Sequence, residues 1–355
     1  MTQNKYYLPI INLFKKFISE TKSGKRLQKN GKMVSASGLK NYEALLANLV
    51  KFFADGREEF QVNTNYKYSK RNFEKERRAY KRFYKQFTDF LYAKGCTDNY
   101  VGMLVKTMKS FFIYLQNTKG YSTGGFYREF YANREEIPVV VLSREQLQFM
   151  IMDKFFEEKL QPHLRTSKDI FVVGCTVGLR FSDLVSLTPK NLEKIDGRVY
   201  ICTKSQKTNT YTRIKLPEYV IAILNQYKGK QKTLLPVISL NQFNKNLKVL
   251  GELAGWTHMT GKERSKRGIR KEIKKNGKAY RFCDLMSSHV MRRTAITTLL
   301  IHGMPEAMVR KISGHAANSK EFHKYVRYSE TFLDQATDAA FEKLVRPQTA
   351  IQMLP

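Results

Sequence analysis

The chain has 355 residues, enough for two domains or one large one, and its 42% apolar content is that of a folded protein rather than a disordered one. Lys and Arg total 63 against 31 Asp and Glu, a formal charge of +32. That excess points to a polyanion, nucleic acid before a membrane surface, because neutralised phosphates release their counterions. No apolar run reaches the ~18 residues of a spanning helix, and no small-residue cleavage site follows "YYLPIINLFKKFISE", so a soluble, cytoplasmic protein with no membrane partner is expected.

Residues 1–34 hold one amphipathic stretch (Ile10, Ile11, Phe14, Phe17, Ile18) and the polar run "TKSGKRLQKNGK", which reads as a helix and a flexible basic connector. From 35 to 120 the pattern is helical, with Leu39, Tyr42, Leu45, Leu46, Leu49 and Phe53 on one stripe. "FEKERRAYKRFYKQFTDFLYAKG" and "DNYVGMLVKTMKSFFIYLQ" repeat that spacing, so a small helical bundle is predicted. Arg77, Arg78, Lys81, Arg82 and Lys85 crowd the polar face and are candidate contacts to DNA phosphates; a merely solvated face is the alternative.

Residues 121–141, entered through "NTKGYSTGG", lose periodicity and read as a linker. Ser143 with Gln146 then forms a capping-box start, and a second, mostly helical domain runs from 142 to 345 before a tail, 346–355. Two hairpins are expected inside it. "RVYICT" and "YTRIKLP" flank the turn "KSQKTN". "GKERSKRGIRKEIKKNGKAYR" reads either as a disordered basic loop or as a DNA-backbone contact through Lys266, Arg267, Arg270, Lys271, Lys274 and Lys275. Cys96, Cys175, Cys202 and Cys283 lack metal-ligand spacing and read as buried free thiols; with no dense carboxylate cluster, no metal or other cofactor is expected.

Five phrases of the second domain carry chemistry. "TVGLRFSDLVSL" supplies Arg180 and Asp183, and "SQKTNT" supplies Lys207 near the hairpin tip, with Lys204 and Lys215 as rivals. "SSHVMRRTA" supplies His289 and Arg292 one helical turn apart, "KISGHAANS" His315, and "FHKYVRYS" Tyr325. In this order and spacing the set resembles the tyrosine recombinase family: the integrases of phages and mobile elements and the recombinases that resolve chromosome dimers. The resemblance covers about residues 35–345.

It implies a mainly α fold with small β-hairpins: a helical core-binding domain, a SAM-like four-helix bundle, plus a mixed, mostly α catalytic domain of the DNA breaking-rejoining type. It also implies an activity, cutting and rejoining DNA through a covalent 3′-phosphotyrosine without metal or ATP. The ester conserves the phosphodiester energy, and guanidiniums stabilise the charge that develops on phosphate oxygens. In the family's pattern Arg180 and Arg292 hold the phosphate, His289 assists the nucleophile, Lys207 is general acid for the leaving 5′-oxygen, His315 hydrogen-bonds the phosphate and Tyr325 attacks. Asp183 is expected behind them, orienting Arg292 or a histidine.

The implied partners are double-stranded DNA at specific recombination sites, three further copies of the chain in a tetramer, and accessory DNA-bending or directionality proteins. The tetramer is expected to form through a C-terminal helix, "ETFLDQATDAAFEKLV", with Phe332, Leu333, Ala336, Ala340 and Leu344 as its apolar stripe, beginning after the short polar stretch that holds Tyr325. The interval from His315 to Tyr325 is about one residue longer than is usual in the family, which leaves Tyr328 as a rival nucleophile. A DNA-relaxing type IB topoisomerase and a catalytically silent DNA-binding regulator of the same fold remain as alternatives.

Overall fold

The computed structural model describes residues 6–28, 30–64, 70–205, 210–316 and 319–345; Lys207 lies outside the described residues. The chain divides into one unit of Met1–Ile137 with Glu263–Ile273 and another of Pro138–Lys262 with Lys274–Pro355. The fold is mostly helical with small antiparallel sheets, as expected. Among the described residues no helix is long and apolar enough to cross a membrane.

In the first unit, β1 (Tyr7–Pro9) leads into α1 (Ile10–Lys22), followed by α2 (Ala36–Ala54), β2 (Gln61–Asn63), α3 (Lys70–Ala93) and α4 (Asp98–Asn117). β1 and β2 pair antiparallel. Helix α1 buries the stripe visible in its sequence, and Phe14 and Phe17 meet Phe111 of α4 with ring centroids 4.9 and 5.5 Å apart. Each such ring, fully buried, contributes about 1.5–3 kcal/mol. Helix α1 is therefore the first helix of a four-helix bundle, because its aromatic stripe has its partners there. Helix α2 starts where the Ser35 hydroxyl accepts the Gly38 N–H at 3.3 Å, the usual N-cap bond.

Two expectations for this unit need correction. Most of the segment read as a linker packs into the core: Phe126, Tyr127 and Phe130 are buried, and a Cβ on Gly102 of α4 would stand 2.0 Å from the Asn133 carbonyl. Gly124 and Gly125 make a turn between anchored aromatics rather than a tether. The basic segment, read either as a disordered loop or as a DNA-backbone contact, forms a hairpin, Glu263–Lys266 with Ile269–Glu272, turning through Arg267 (φ 54°) and Gly268 (φ 78°). Positive φ at both turn residues matches strand twist but costs a non-glycine residue. The Asp98 carboxylate offsets that cost by accepting both turn N–H groups at 2.8 Å, while the Arg267 side chain pairs with Asp89 and lies 4.9 Å over the Tyr92 ring.

The second unit begins with α5 (Arg144–Met152), whose capping box is present: Ser143 N–H donates to Gln146 Oε1 at 2.9 Å and Gln146 N–H to Ser143 Oγ at 3.2 Å. There follow α6 (Lys154–Lys159), α7 (Pro162–Val177), α8 (Phe181–Val185), then β3 (Leu192–Ile195), β4 (Arg198–Lys204) and β5 (Tyr211–Lys215). The three strands form one antiparallel sheet, one strand more than the expected hairpin. After α9 (Glu218–Tyr227) and α10 (Leu240–Leu253) come α11 (Phe282–Leu285), α12 (Ser288–Ile301), α13 (Glu306–Ser313) and α14 (Lys320–Val345). Helix α7 is the core: Ile170, Phe171, Val172 and Val173 are all buried, and Gly174 leaves the space that Met291 of α12 fills.

Tyr325 does not lie on a polar stretch before the last helix. Helix α14 starts at Lys320 and includes it, because Phe322 and Ser329 are buried and Val326 half-buried at helical spacing and no Gly or Pro interrupts. The cysteines are free thiols; Cys175, Cys202 and Cys283 are buried and Cys96 is half-buried.

Candidate active site

Two helix ends build the site. Helix α7 stops at Gly178 in the left-handed conformation (φ 65°), and two residues later Arg180 serves as the N-cap residue of α8. Helix α13 stops at Gly314 (φ 61°), with Gly314 N–H donating to the Lys311 carbonyl and His315 N–H to the Arg310 carbonyl at 2.9 Å. This is a Schellman motif, and it fixes the His315 backbone immediately beyond the helix. The Gly-Leu-Arg and Gly-His phrases are thus two helix stops, each placing a candidate site residue just beyond the end.

Arg292 of α12 joins them. Its Nη1 donates to the Gly178 carbonyl at 2.7 Å and its Nη2 to the Ser313 carbonyl at 2.5 Å, so a 7%-exposed guanidinium lies between two helix C-termini, whose carbonyls carry partial negative charge. Burial, and then the Arg180 cation, pull its pKa down to about 10, still far above neutral; Tyr325 and Asp183 act the other way. Arg180 Nη1 donates to Ser205 Oγ at 2.7 Å, and Ser205 Oγ donates to Asp183 Oδ2 at 3.1 Å. Asp183 Oδ2 is itself 3.9 Å from Arg180, so the acid expected to orient Arg292 or a histidine is tied here to Arg180 through Ser205.

His315 lies under Arg292 Nη2, 3.3 Å from Nδ1 and 3.4 Å from Nε2. Its ring meets Tyr325 of α14 with centroids 6.0 Å apart. Burial, then Arg292, Arg180 and Arg310, lower its pKa to about 3, so the folded protein holds it neutral. An unfolded histidine titrates near 6.5. The unfolded chain therefore binds the extra proton first, and stability falls as pH drops from about 6.5 toward 3. Thermal melts of the protein and of His315→Gln should show it: the variant loses less Tm between pH 7 and pH 4, and parallel curves would contradict the neutral, buried ring.

The remaining expected residues are placed as follows. His289 is exposed on the first turn of α12, one turn ahead of Arg292. For Lys207, the nearest described backbone contact is at the hairpin base, Ser205 N–H to the Thr210 carbonyl at 2.9 Å. Tyr328 is 39% exposed, and burial alone raises its pKa; Tyr325 is the tyrosine beside His315 and Arg292.

On α3, Arg78, Arg82 and Lys85 are exposed at i, i+4 and i+7, whereas Arg77 and Lys81 pair with Glu129 at 2.8 and 3.2 Å. In the basic segment Lys271 and Lys274 are exposed, Lys266 is half-buried, Arg270 lies 4.0 Å from Glu263, and Lys275 pairs with Asp284 at 2.5 Å. Sequence reading missed Ser205 and Ser313. The first follows a strand whose pairing could have been read, but nothing local marks its reach to Arg180.

Residues 145–331 match the phage integrase family. No curated protein matches the chain significantly. Among solved structures, a lambda integrase dimer bound to a COC′ core site is similar over 90% of this chain and 77% of that one, at 12% identity and a TM-score of 0.59. XerH site-specific recombinase bound to palindromic difH, a post-cleavage complex, is similar over 92% and 94%, at 12% identity and 0.58. The Tn1549 transposon integrase in complex with a circular intermediate DNA is similar over 90% and 95%, at 16% identity and 0.57.

Proposed function

The chain belongs to the phage integrase family of tyrosine-type site-specific recombinases, and from that premise we propose that it cuts and rejoins DNA at specific sites through a 3′-phosphotyrosine. The observation that carries the reading is the convergence of Arg180, Arg292 and His315 with Tyr325. Arg292 lies close enough to feel both the Arg180 cation and the half-buried Tyr325 phenol, where a phosphodiester would gain a fifth oxygen ligand. The phenol oxygen attacks phosphorus while its proton passes to His289, the bond to the 5′-oxygen breaks, and Lys207 gives that oxygen its proton. Arg180 and Arg292 stabilise the charge on the non-bridging oxygens. The donors stand in place before the substrate arrives: Arg292 is held by two helix ends and Arg180 by Ser205 and Asp183.

The test is a nicked duplex, cut from the DNA flanking the gene, that traps the cleaved intermediate. A band of protein covalently joined to DNA, followed by strand exchange between two sites, is expected. Relaxation of a supercoiled circle without paired sites would point to a topoisomerase, and binding with no adduct to a silent regulator.

The similar solved structures include a lambda integrase tetramer on a Holliday junction, and assembly of this chain as a tetramer on DNA, with accessory DNA-bending or directionality proteins, belongs to the same proposal. Helix α14 runs on to Val345 and exposes Phe341. The side chains of Phe332, Leu333, Ala336, Ala340 and Leu344 lie outside those described.

Affinity for duplex should fall about a thousandfold between 50 and 200 mM salt if six or more phosphates are neutralised. Arg82→Ala should lower the slope of log affinity against log salt by about one, because its side chain faces solvent. Arg77→Ala, already paired with Glu129, should change it less. Equal slopes for Arg82→Ala and the parent would remove α3 from the DNA contact.

A further inference from the structure

We propose that Ser313 is a positioning residue that fixes His315 as the tautomer with its proton on Nδ1, leaving the Nε2 lone pair as the acceptor in the site. Ser313, 2% exposed, places Oγ 2.6 Å from the Val309 carbonyl oxygen and 2.8 Å from His315 Nδ1. A carbonyl only accepts, and two oxygens at that separation repel unless a hydrogen lies between them. The Ser313 hydroxyl proton therefore goes to Val309. Oγ then has only lone pairs to offer Nδ1, so Nδ1 must carry the hydrogen.

The surroundings agree. Burial first, and then Arg292, Arg180 and Arg310, disfavour an imidazolium here, so the ring has one proton to place and the serine decides where. Arg292 Nη2 stands 3.3 Å from Nδ1 and 3.4 Å from Nε2, nearly equidistant, so it leaves the choice of tautomer to Ser313. The Ser313 carbonyl takes the other bond from Arg292 Nη2, so one residue sets both side chains, the arginine through its main chain and the histidine through its hydroxyl.

The consequence deepens the proposed function and rests on it. A neutral imidazole in this tautomer cannot donate from Nε2 to a phosphate oxygen; it must first take a proton there from solvent. Burial is the largest opposition to the imidazolium and the three arginines follow; the incoming phosphate favours that step because its negative charge offsets the arginines and pairs with the buried ring. His315 thus enters the reaction as an acceptor and becomes a donor to the phosphate only with DNA in place.

Nitrogen NMR of the full chain, labelled at its six histidines, tests this without DNA. The His315 signals, identified by their loss in His315→Gln, should show a protonated Nδ1 and an unprotonated Nε2 at neutral pH. The proton on Nε2, or on both nitrogens, would overturn the inference outright. In S313A the Nδ1–H preference should be lost and the Nε2–H form should appear, with the other histidines unmoved. An unchanged pattern in the folded variant would show that Ser313 does not set the tautomer. An Nδ1–H signal in a protein that forms no covalent adduct would defeat the recombinase reading and leave this assignment standing.

Discussion

Tyr325→Phe should abolish the covalent protein–DNA adduct while the protein keeps its fold and its affinity for duplex. The ring of Tyr325 packs half-buried against the cluster of Ile296, Leu300, Val309 and Phe322, and a phenylalanine keeps those contacts. What leaves is one oxygen. Because that oxygen is the proposed nucleophile, its loss closes the pathway rather than slowing it, and gel mobility of denatured protein–DNA mixtures should show no adduct at any time. Tyr328→Phe should form adduct as the parent does, since Tyr328 lies one helical turn further along α14 and away from the ring contacts around His315. Peptide mapping of trapped adduct decides between them. DNA on Tyr328, with Tyr325→Phe still reactive, would move the nucleophile and show that the lengthened interval after His315 matters.

Much of this arrangement was legible in the sequence because it is made of local events. The stop at Gly178, the stop at Gly314 and the capping box at Ser143 are each decided by a few adjacent residues; the box was read as such, and the two glycines lie in the short phrases that gave Arg180 and His315. The aromatic stripe of α1 was visible too, but not its destination. A spacing of three and four says that Phe14 and Phe17 are buried without saying against what, so the first segment read as separate from a bundle that it completes. The same limit hid the partners of the hairpin at 263–272. Its charge suggested a solvated loop, and the acids that fold it, Asp89, Asp98 and Glu135, lie about 130 to 180 positions away. Helix α14 was misjudged for another reason: charged residues around Tyr325 looked like a break, whereas only Phe322 and Ser329 of its first turns need burial to hold the helix down.

Removing either arginine should slow adduct formation by about a hundredfold or more, the scale of a lost preorganised donor, but the two losses should differ in what else they do. Arg180 is partly exposed, and its Nη1 donates to a serine hydroxyl. Arg180→Ala leaves Ser205 still able to reach Asp183, so melting should move little while the rate falls. Arg292 is different. It supplies hydrogen bonds to the last carbonyls of two helices, Gly178 after α7 and Ser313 in α13, in a buried place where water does not readily replace it. Each buried carbonyl left unsatisfied costs about 1–3 kcal/mol, and the cavity adds to that. Arg292→Ala should therefore lose both rate and Tm. Arg292→Lys should not restore either, because an ammonium is a compact point charge and cannot span two carbonyls with a planar fork. Stopped adduct time courses, read beside thermal melts of the same preparations, separate the cases. Equal Tm losses for Arg180→Ala and Arg292→Ala would mean that the two helix ends do not depend on the buried guanidinium, and its place between them would need another explanation.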